Sequence, residues 1–277
     1  MNFSLLKLLW IIAHLLADVL ETIFYFGLEF RENFFNFIKK YTKSSWNHDS
    51  SDQRHQIELH LKNIKKIPKH LAVILNADSE KDIDLMQLTN LVDWSLISGV
   101  NFISFYDYKG ILKNQLASSF HKFIQQHCTN NTDNENIVWG LNFQHMTDND
   151  GIKFPHRNGF KRHIVVNIYS SEDGHEKFDQ LLRRELLSDK GSSGKTVDCS
   201  KFTIDYIDEE LSKLYGQMSD PDLTVYFGNI CCTMGFMPWQ IRLTEFIQIS
   251  YKLRTLSLDK YLKVLYKYAK CEQRFGK

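Results

Sequence analysis

From Pro68 onward, short apolar runs alternate with longer segments whose apolar residues recur at a helical spacing. The runs at 71–75, 101–106, 137–142, 163–169 and 223–227 read as strands. The segments at 83–98, 111–127, 176–187 and 203–215 read as helices. Strands alternating with helices of this length predict an α/β domain, a mostly parallel central sheet built from right-handed βαβ units. The unbroken run Ala72-Val-Ile-Leu75 suits a strand covered on both faces. A last helix at 258–272 places Leu258, Tyr261, Leu262, Leu265, Tyr268 and Ala269 on one stripe, the 3.6-residue period.

The first forty residues have a different texture. Residues 3–38 are rich in Leu, Ile and Phe, and Asp18, Glu21 and Glu29 interrupt them. A spanning helix needs about 20 mostly apolar residues, so the segment predicts a membrane-anchor helix, either spanning or lying in the interface plane. A soluble amphipathic helix packed on the domain is the alternative. No small-residue cleavage site follows, which argues against a signal peptide. Lys39, Lys40 and Lys43 come directly after, and the positive-inside rule then puts the remainder in the cytosol. The expected organisation is a membrane segment at 1–43, a polar linker at 44–66 running into a short helix at 56–65, and a domain at 67–277.

Composition narrows the function classes only a little. Of 277 residues, 43% are apolar and 20 are Phe, enough for a sizeable core. A net charge of +1 marks no polyanion binder. The five cysteines are scattered and include no C-x-x-C pair, which argues for reduced thiols and against structural zinc. The segment 189–196 imitates a P-loop, but Asp189 stands at the first glycine position and a helix, not a strand, precedes it. Asn130-Asn-Thr132 would be a glycosylation sequon only in a lumenal chain.

Candidate chemistry lies where open α/β sheets bind ligands, beyond the carboxyl ends of the strands. Asn76-Ala77-Asp78-Ser79-Glu80 follows the first strand, and Gly228 to Phe236 follows the fifth. The chain ends Cys271-Glu-Gln-Arg274-Phe275-Gly276-Lys277. There a guanidinium suited to bidentate phosphate recognition precedes a glycine that lets backbone approach a ligand.

His70-Leu-Ala-Val-Ile-Leu-Asn76 resembles the opening strand of the cis-prenyltransferases. Asp222-Leu-Thr-Val, followed by Phe236-Met-Pro-Trp239-Gln240 and Glu245, resembles their last signature region. Ser170-Ser-Glu172-Asp173-Gly174, the run from Gly235 to Glu245 and the terminal Arg274-x-Gly276 resemble the Nogo-B receptor branch of non-catalytic subunits in that family. The resemblance covers about residues 68–277 and is most specific over roughly the last 55 positions. It implies a cis-prenyltransferase-like fold.

The departures from the family pattern are informative. Catalytic members open with H-x-A-x-x-M-D-G-N-x-R, whose aspartate holds Mg²⁺ beside the allylic diphosphate. Here Asn76 takes that position, Ala77 the glycine, Asp78 the asparagine and Glu80 the arginine. An amide is a poor substitute for a charged Mg²⁺ ligand, and acids in a diphosphate site repel it. In the later signature, Tyr226 and Cys232 replace arginines and Ile230 replaces a glutamate. The resemblance therefore implies that this chain has no catalytic residues of its own and holds no metal. Mg²⁺ and the catalytic groups would belong to a partner cis-prenyltransferase subunit. Arg274, Phe275 and Gly276 would cross into that partner's site and hold isopentenyl diphosphate. The implied setting is a dehydrodolichyl diphosphate synthase complex on the endoplasmic reticulum, its domain facing the cytosol. The alternatives are a membrane-anchored receptor or scaffold that keeps the fold alone, and a self-sufficient homodimer, which the substitutions disfavour.

Other residues take plainer readings. Phe236, Trp239 and Phe246 are expected in the core or at a subunit interface. Arg242 and Glu245, which the same region places at the interface, stand one helical turn apart and could pair. His70 and His163 read as hydrogen-bonded structural histidines, and Cys231-Cys232 as small packing residues.

Overall fold

The structure is a computed structural model that describes residues 50–128, 137–140, 163–188, 202–215, 219–228, 232–250 and 252–272, with Lys7, Trp10, Leu15, Leu16, Val19 and Leu20. The chain divides into two compact units, Met1–Asp52 and Gln53–Lys277. Among the described residues of the second, six strands form one sheet: β1 (His70–Leu75), β2 (Phe102–Asp107), β3 (Ile137–Trp139), β4 (Ile164–Tyr169), β5 (Leu223–Phe227) and β6 (Glu245–Ile249). Their order is β3-β4-β2-β1-β5-β6, and every pairing is parallel. β1 is central, with Val73 opposite Phe105 of β2 and Val225 of β5.

Among the described residues six α-helices accompany the sheet: α1 (Ser50–Leu61), α2 (Leu85–Ser98), α3 (Ala117–Cys128), α4 (His175–Ser188), α5 (Ile204–Tyr215) and α6 (Leu258–Lys270). Because side chains alternate along a strand, β1 feeds two cores. Leu71, Val73 and Leu75 join Leu88, Phe120 and Leu265 from α2, α3 and α6. Ala72 and Ile74 join Leu181 of α4 and Ile207, Leu211 and Tyr215 of α5. All six β1 residues are buried, as the unbroken apolar run requires.

Local chemistry sets the helix boundaries. The Asp84 carboxylate accepts the Gln87 N–H at 3.2 Å and starts α2, and Gly99 ends it at φ +85°. The helix read at 111–127 opens instead as a π-turn, Leu112–Leu116. There the buried Asp107 carboxylate accepts the Ile111 and Leu112 N–H groups at 2.8 and 3.0 Å and draws the first turn wide. Burial raises the pKa of Asp107, and those backbone donors oppose the rise.

Two findings differ from the sequence reading. The stretch read as a linker at 44–66 holds α1, which begins at Ser50 rather than 56. Ile57 and Ile64 lie in the main core, and the Trp94 Nε1–H donates to Gln53 Oε1 at 2.8 Å, so this stretch packs on the domain. The second is β6, which the sequence reading did not anticipate. It pairs with β5 at the edge of the sheet and alternates buried and exposed positions, as an edge strand with one wet face does.

The described positions before residue 50 are helical, and Trp10, Leu15, Leu16, Val19 and Leu20 are exposed. Among the described residues no helix is long and apolar enough to cross a membrane. The rest of the segment read as an anchor lies outside the described residues.

Candidate functional site

Chain order and sheet order diverge at β1, since β2 lies on one side of it and β5 on the other. Such a switch point opens a crevice beyond the carboxyl ends of the strands. Around it stand the loops that follow β1, β2, β4 and β5.

At the end of β1, Asn76 is exposed. Gly228, at φ +130°, lies against it, and a Cβ there would come within 3.2 Å of Asn76 Nδ2. The loop then turns its donors onto one of the chain's own carboxylates. Asp82 accepts the Asp78 N–H at 3.1 Å, the Ser79 N–H at 3.0 Å and the Ser79 hydroxyl at 3.0 Å. The Ser79 hydroxyl does most to hold the Asp82 carboxyl below its ordinary pKa. Lys109 Nζ stands 2.7 Å from Asp78 Oδ1, both well exposed, so the pair is weak. Asp78, Ser79, Glu80, Lys81, Lys109 and Gln115 border an open cleft of about 550 Å³.

This arrangement is ill suited to a Mg²⁺-diphosphate. The backbone donors that could meet phosphate already meet Asp82, Asp78 is engaged with Lys109, and Glu80 adds a further negative charge. Asn76 offers only a neutral amide. Among the described residues no group of three or more His, Cys, Asp or Glu side chains is placed to hold a metal.

At the end of β5, Tyr226 is buried with Ile74, Tyr106 and Phe236. The position where the resemblance expects an arginine is thus part of an apolar core. Cys232 is exposed, and its Sγ accepts the Met234 N–H at 3.3 Å. Ile230 lies outside the described residues.

Two of the motifs that carried the resemblance, sixty residues apart in sequence, meet in space. The His175 N–H donates to the Gly235 carbonyl at 3.1 Å, and a Cβ on Gly174 would sit 2.3 Å from that oxygen. Only glycine permits this approach. Met234, Gly235 and Met237 all have positive φ, at 51°, 77° and 30°. The Tyr106 hydroxyl steadies that turn by donating to the Met234 carbonyl at 2.5 Å. Below it, the buried Asp173 carboxylate receives Lys113 Nζ at 2.6 Å and the Ser170 N–H at 3.0 Å. The Tyr215 hydroxyl donates to the Asp173 carbonyl.

The residues read as interface candidates separate into two groups. Phe236 is fully enclosed by its own chain, 5.1 Å from the Tyr106 ring, so it is core and presents nothing to a partner. Trp239 is half-buried. It stacks on Phe178 at 5.8 Å, donates its Nε1–H to Asp208 at 2.5 Å and lies under the Arg242 guanidinium at 4.0 Å. Arg242 also reaches Asp208 at 3.5 Å. The anticipated pairing of Arg242 with Glu245 has no helical turn to carry it, because Glu245 opens β6. Phe246 is partly exposed on that strand.

His70 is the structural histidine its context suggested. It is buried, with Nδ1 2.6 Å from the Ser219 carbonyl and Nε2 2.8 Å from the Ser104 hydroxyl. The carbonyl fixes the proton on Nδ1, which leaves Nε2 to accept from Ser104. Burial lowers its pKa from 6.5 to about 4.

Arg274, Phe275 and Gly276 lie outside the described residues. α6 runs to Lys270, and Cys271 and Glu272 follow it. Sequence reasoning missed Asp82 and the Lys113–Asp173 pair. The Ser79-x-x-Asp82 spacing of a capping box was the available signal for the first.

No family model matches the chain. It is similar to the dehydrodolichyl diphosphate synthase complex subunit NUS1 of Homo sapiens, 27% identical over 225 residues, covering 78% of this chain and 69% of that protein. The subunit of the same name in Saccharomyces cerevisiae is 28% identical over 241 residues, covering 77% of this chain and 60% of that protein. Among solved structures, a probable undecaprenyl diphosphate synthase from Campylobacter jejuni aligns at TM-score 0.43 and 14% identity, over 76% of this chain and 100% of that one. That level does not by itself establish a shared fold. The resemblance read from the sequence is thereby shown: over more than three-quarters of its length this chain is similar to curated subunits of the dehydrodolichyl diphosphate synthase complex.

Proposed function

We propose that this chain is the non-catalytic but required subunit of a dehydrodolichyl diphosphate synthase complex. In that complex a catalytic cis-prenyltransferase subunit condenses isopentenyl diphosphates onto farnesyl diphosphate, giving the long polyprenyl diphosphate used for dolichol and protein glycosylation. The catalytic subunit holds Mg²⁺ and the arginines that stabilise the departing diphosphate, the main electrostatic task of the reaction. This chain contributes Arg274-Phe275-Gly276 to the shared site, where the guanidinium grips isopentenyl diphosphate. Its first 43 residues hold the complex at the endoplasmic reticulum membrane, with the domain on the cytosolic side. A very long lipid product makes that tether physically sensible.

The observation that carries this reading is the loop after β1, where Asp82 already occupies the donors that a diphosphate would need. A prenyltransferase-like framework whose phosphate loop is closed by its own carboxylate can support a partner but cannot hold an allylic diphosphate. Calorimetric titration of the full chain with farnesyl diphosphate and Mg²⁺ tests this. No saturable heat is expected. Stoichiometric, Mg²⁺-dependent binding by the chain alone would overturn the proposal.

A further inference from the structure

Two acid-free stretches of this chain are rich in lysine. Residues 59–69 read LHLKNIKKIPK and residues 260–271 read KYLKVLYKYAKC. The fold sets them side by side. His60 Nδ1 stands 3.1 Å from the Tyr266 hydroxyl, and Lys66 Nζ lies 4.4 Å over the Tyr268 ring. Leu61, Ile64, Ile67, Tyr266 and Ala269 share the core beneath. On α6, Tyr261, Leu262, Leu265 and Tyr268 point inward, so Lys263, Lys267 and Lys270 form an outward stripe at i, i+4 and i+7. Lys62, Lys65 and Lys69 are exposed on the adjoining segment.

These six lysines form no ion pair among the described residues, whereas Lys109, Lys113 and Lys213 each face a carboxylate within 3.0 Å. The acids nearest the face are Asp222, whose carboxylate accepts the Lys69 N–H at 2.7 Å, Glu245 near Tyr268, and Glu58, Asp259 and Glu272 at the ends of the two stretches. Unpaired, hydrated ammonium groups spread over a surface suit a diffuse anionic plane better than the planar fork of a single phosphate site, for which arginine is the better residue. The chain also carries an apolar segment just before α1, with Trp10, Leu15, Leu16, Val19 and Leu20 exposed, and only six residues separate position 43 from Ser50.

We propose that this lysine face rests against the anionic headgroups of a lipid bilayer and so fixes how the domain lies on its membrane. The inference deepens the membrane-tethered reading above and rests on it for the source of the bilayer. Near such a surface each lysine strengthens attraction by roughly fivefold.

The test is amine labelling of the full chain reconstituted in vesicles, read by mass spectrometry. One set of vesicles is phosphatidylcholine and the other adds phosphatidylserine. Lys213, on α5, is the internal control. Labelling of Lys62, Lys65, Lys263, Lys267 and Lys270 should fall at least about fivefold in the anionic vesicles relative to the neutral ones. The protection should vanish near 0.5 M salt, which cuts the screening length to roughly 4 Å. Equal labelling in the two lipids would overturn the proposal. So would protection that appears only when a catalytic subunit is added and is the same in both lipids, since the face would then be a protein interface. A chain that fails to float with either vesicle would instead contradict the anchor assigned to residues 1–43, a result distinct from unprotected lysines on a chain that does float.

Discussion

Single residues show most sharply how the loops beyond this sheet are filled by the chain's own groups. Asp82 closes the β1 loop, Tyr226 fills an arginine's place with core, and Gly174 exists to let Gly235 approach. Gly174→Ala should therefore destabilise the domain by roughly 1–3 kcal/mol, the usual cost of forcing an extra methyl into tight packing, seen as a lower denaturant midpoint. Lys113→Met should cost about 2 kcal/mol, because it leaves the buried Asp173 carboxylate without its cation. A third prediction concerns pH. In the folded chain His70 titrates near 4, and in the unfolded chain near 6.5. Between those values the unfolded state binds more protons, so stability present above pH 6.5 is lost as pH falls toward 4. The loss attributable to His70 approaches about 3 kcal/mol, at 1.36 kcal/mol per unit. Denaturation curves across that window should show the slope in the wild type and a shallower one in His70→Gln.

At the scale of elements, periodicity made most of the sheet legible. The five runs read as strands coincide with β1 to β5 because buried parallel strands are short and apolar, and helix spacing is hard to mistake between them. β6 escaped because its wet face carries Phe246 beside Gln248 while Glu245 opens the face of Ile247 and Ile249, so polar and apolar residues do not alternate cleanly along it. The start of α1 escaped because its residues are polar throughout and one face suffices to seat Ile57. The candidate site was legible only as substitutions. Asn76, Glu80 and Tyr226 could be named in advance, and the Asp82 closure had a local signal in the Ser79-x-x-Asp82 spacing, but the Gly174–Gly235 contact joins two loops about sixty residues apart, which no local pattern encodes. Ablating the Trp239 cluster tests the element scale, since Phe178, Asp208 and Arg242 join α4 and α5 to the turn before β6 through it. Trp239→Ala should lower stability by about 3 kcal/mol, checked by chemical denaturation.

For the whole molecule, the account is a division of labour. In the proposed complex, a parallel sheet on this chain supports a loop closed by Asp82, while the chemistry would sit in a partner and be completed by Arg274-Phe275-Gly276. The most direct measurement is prenyl transfer by this chain co-purified with its catalytic subunit, with wild type compared against Arg274→Ala and with each subunit alone. The account predicts an active pair, an inert single chain, and a loss of at least tenfold in the variant pair, equivalent to about 1.4 kcal/mol of barrier for one lost charged contact. A variant pair as active as wild type, or turnover by this chain on its own, would contradict it.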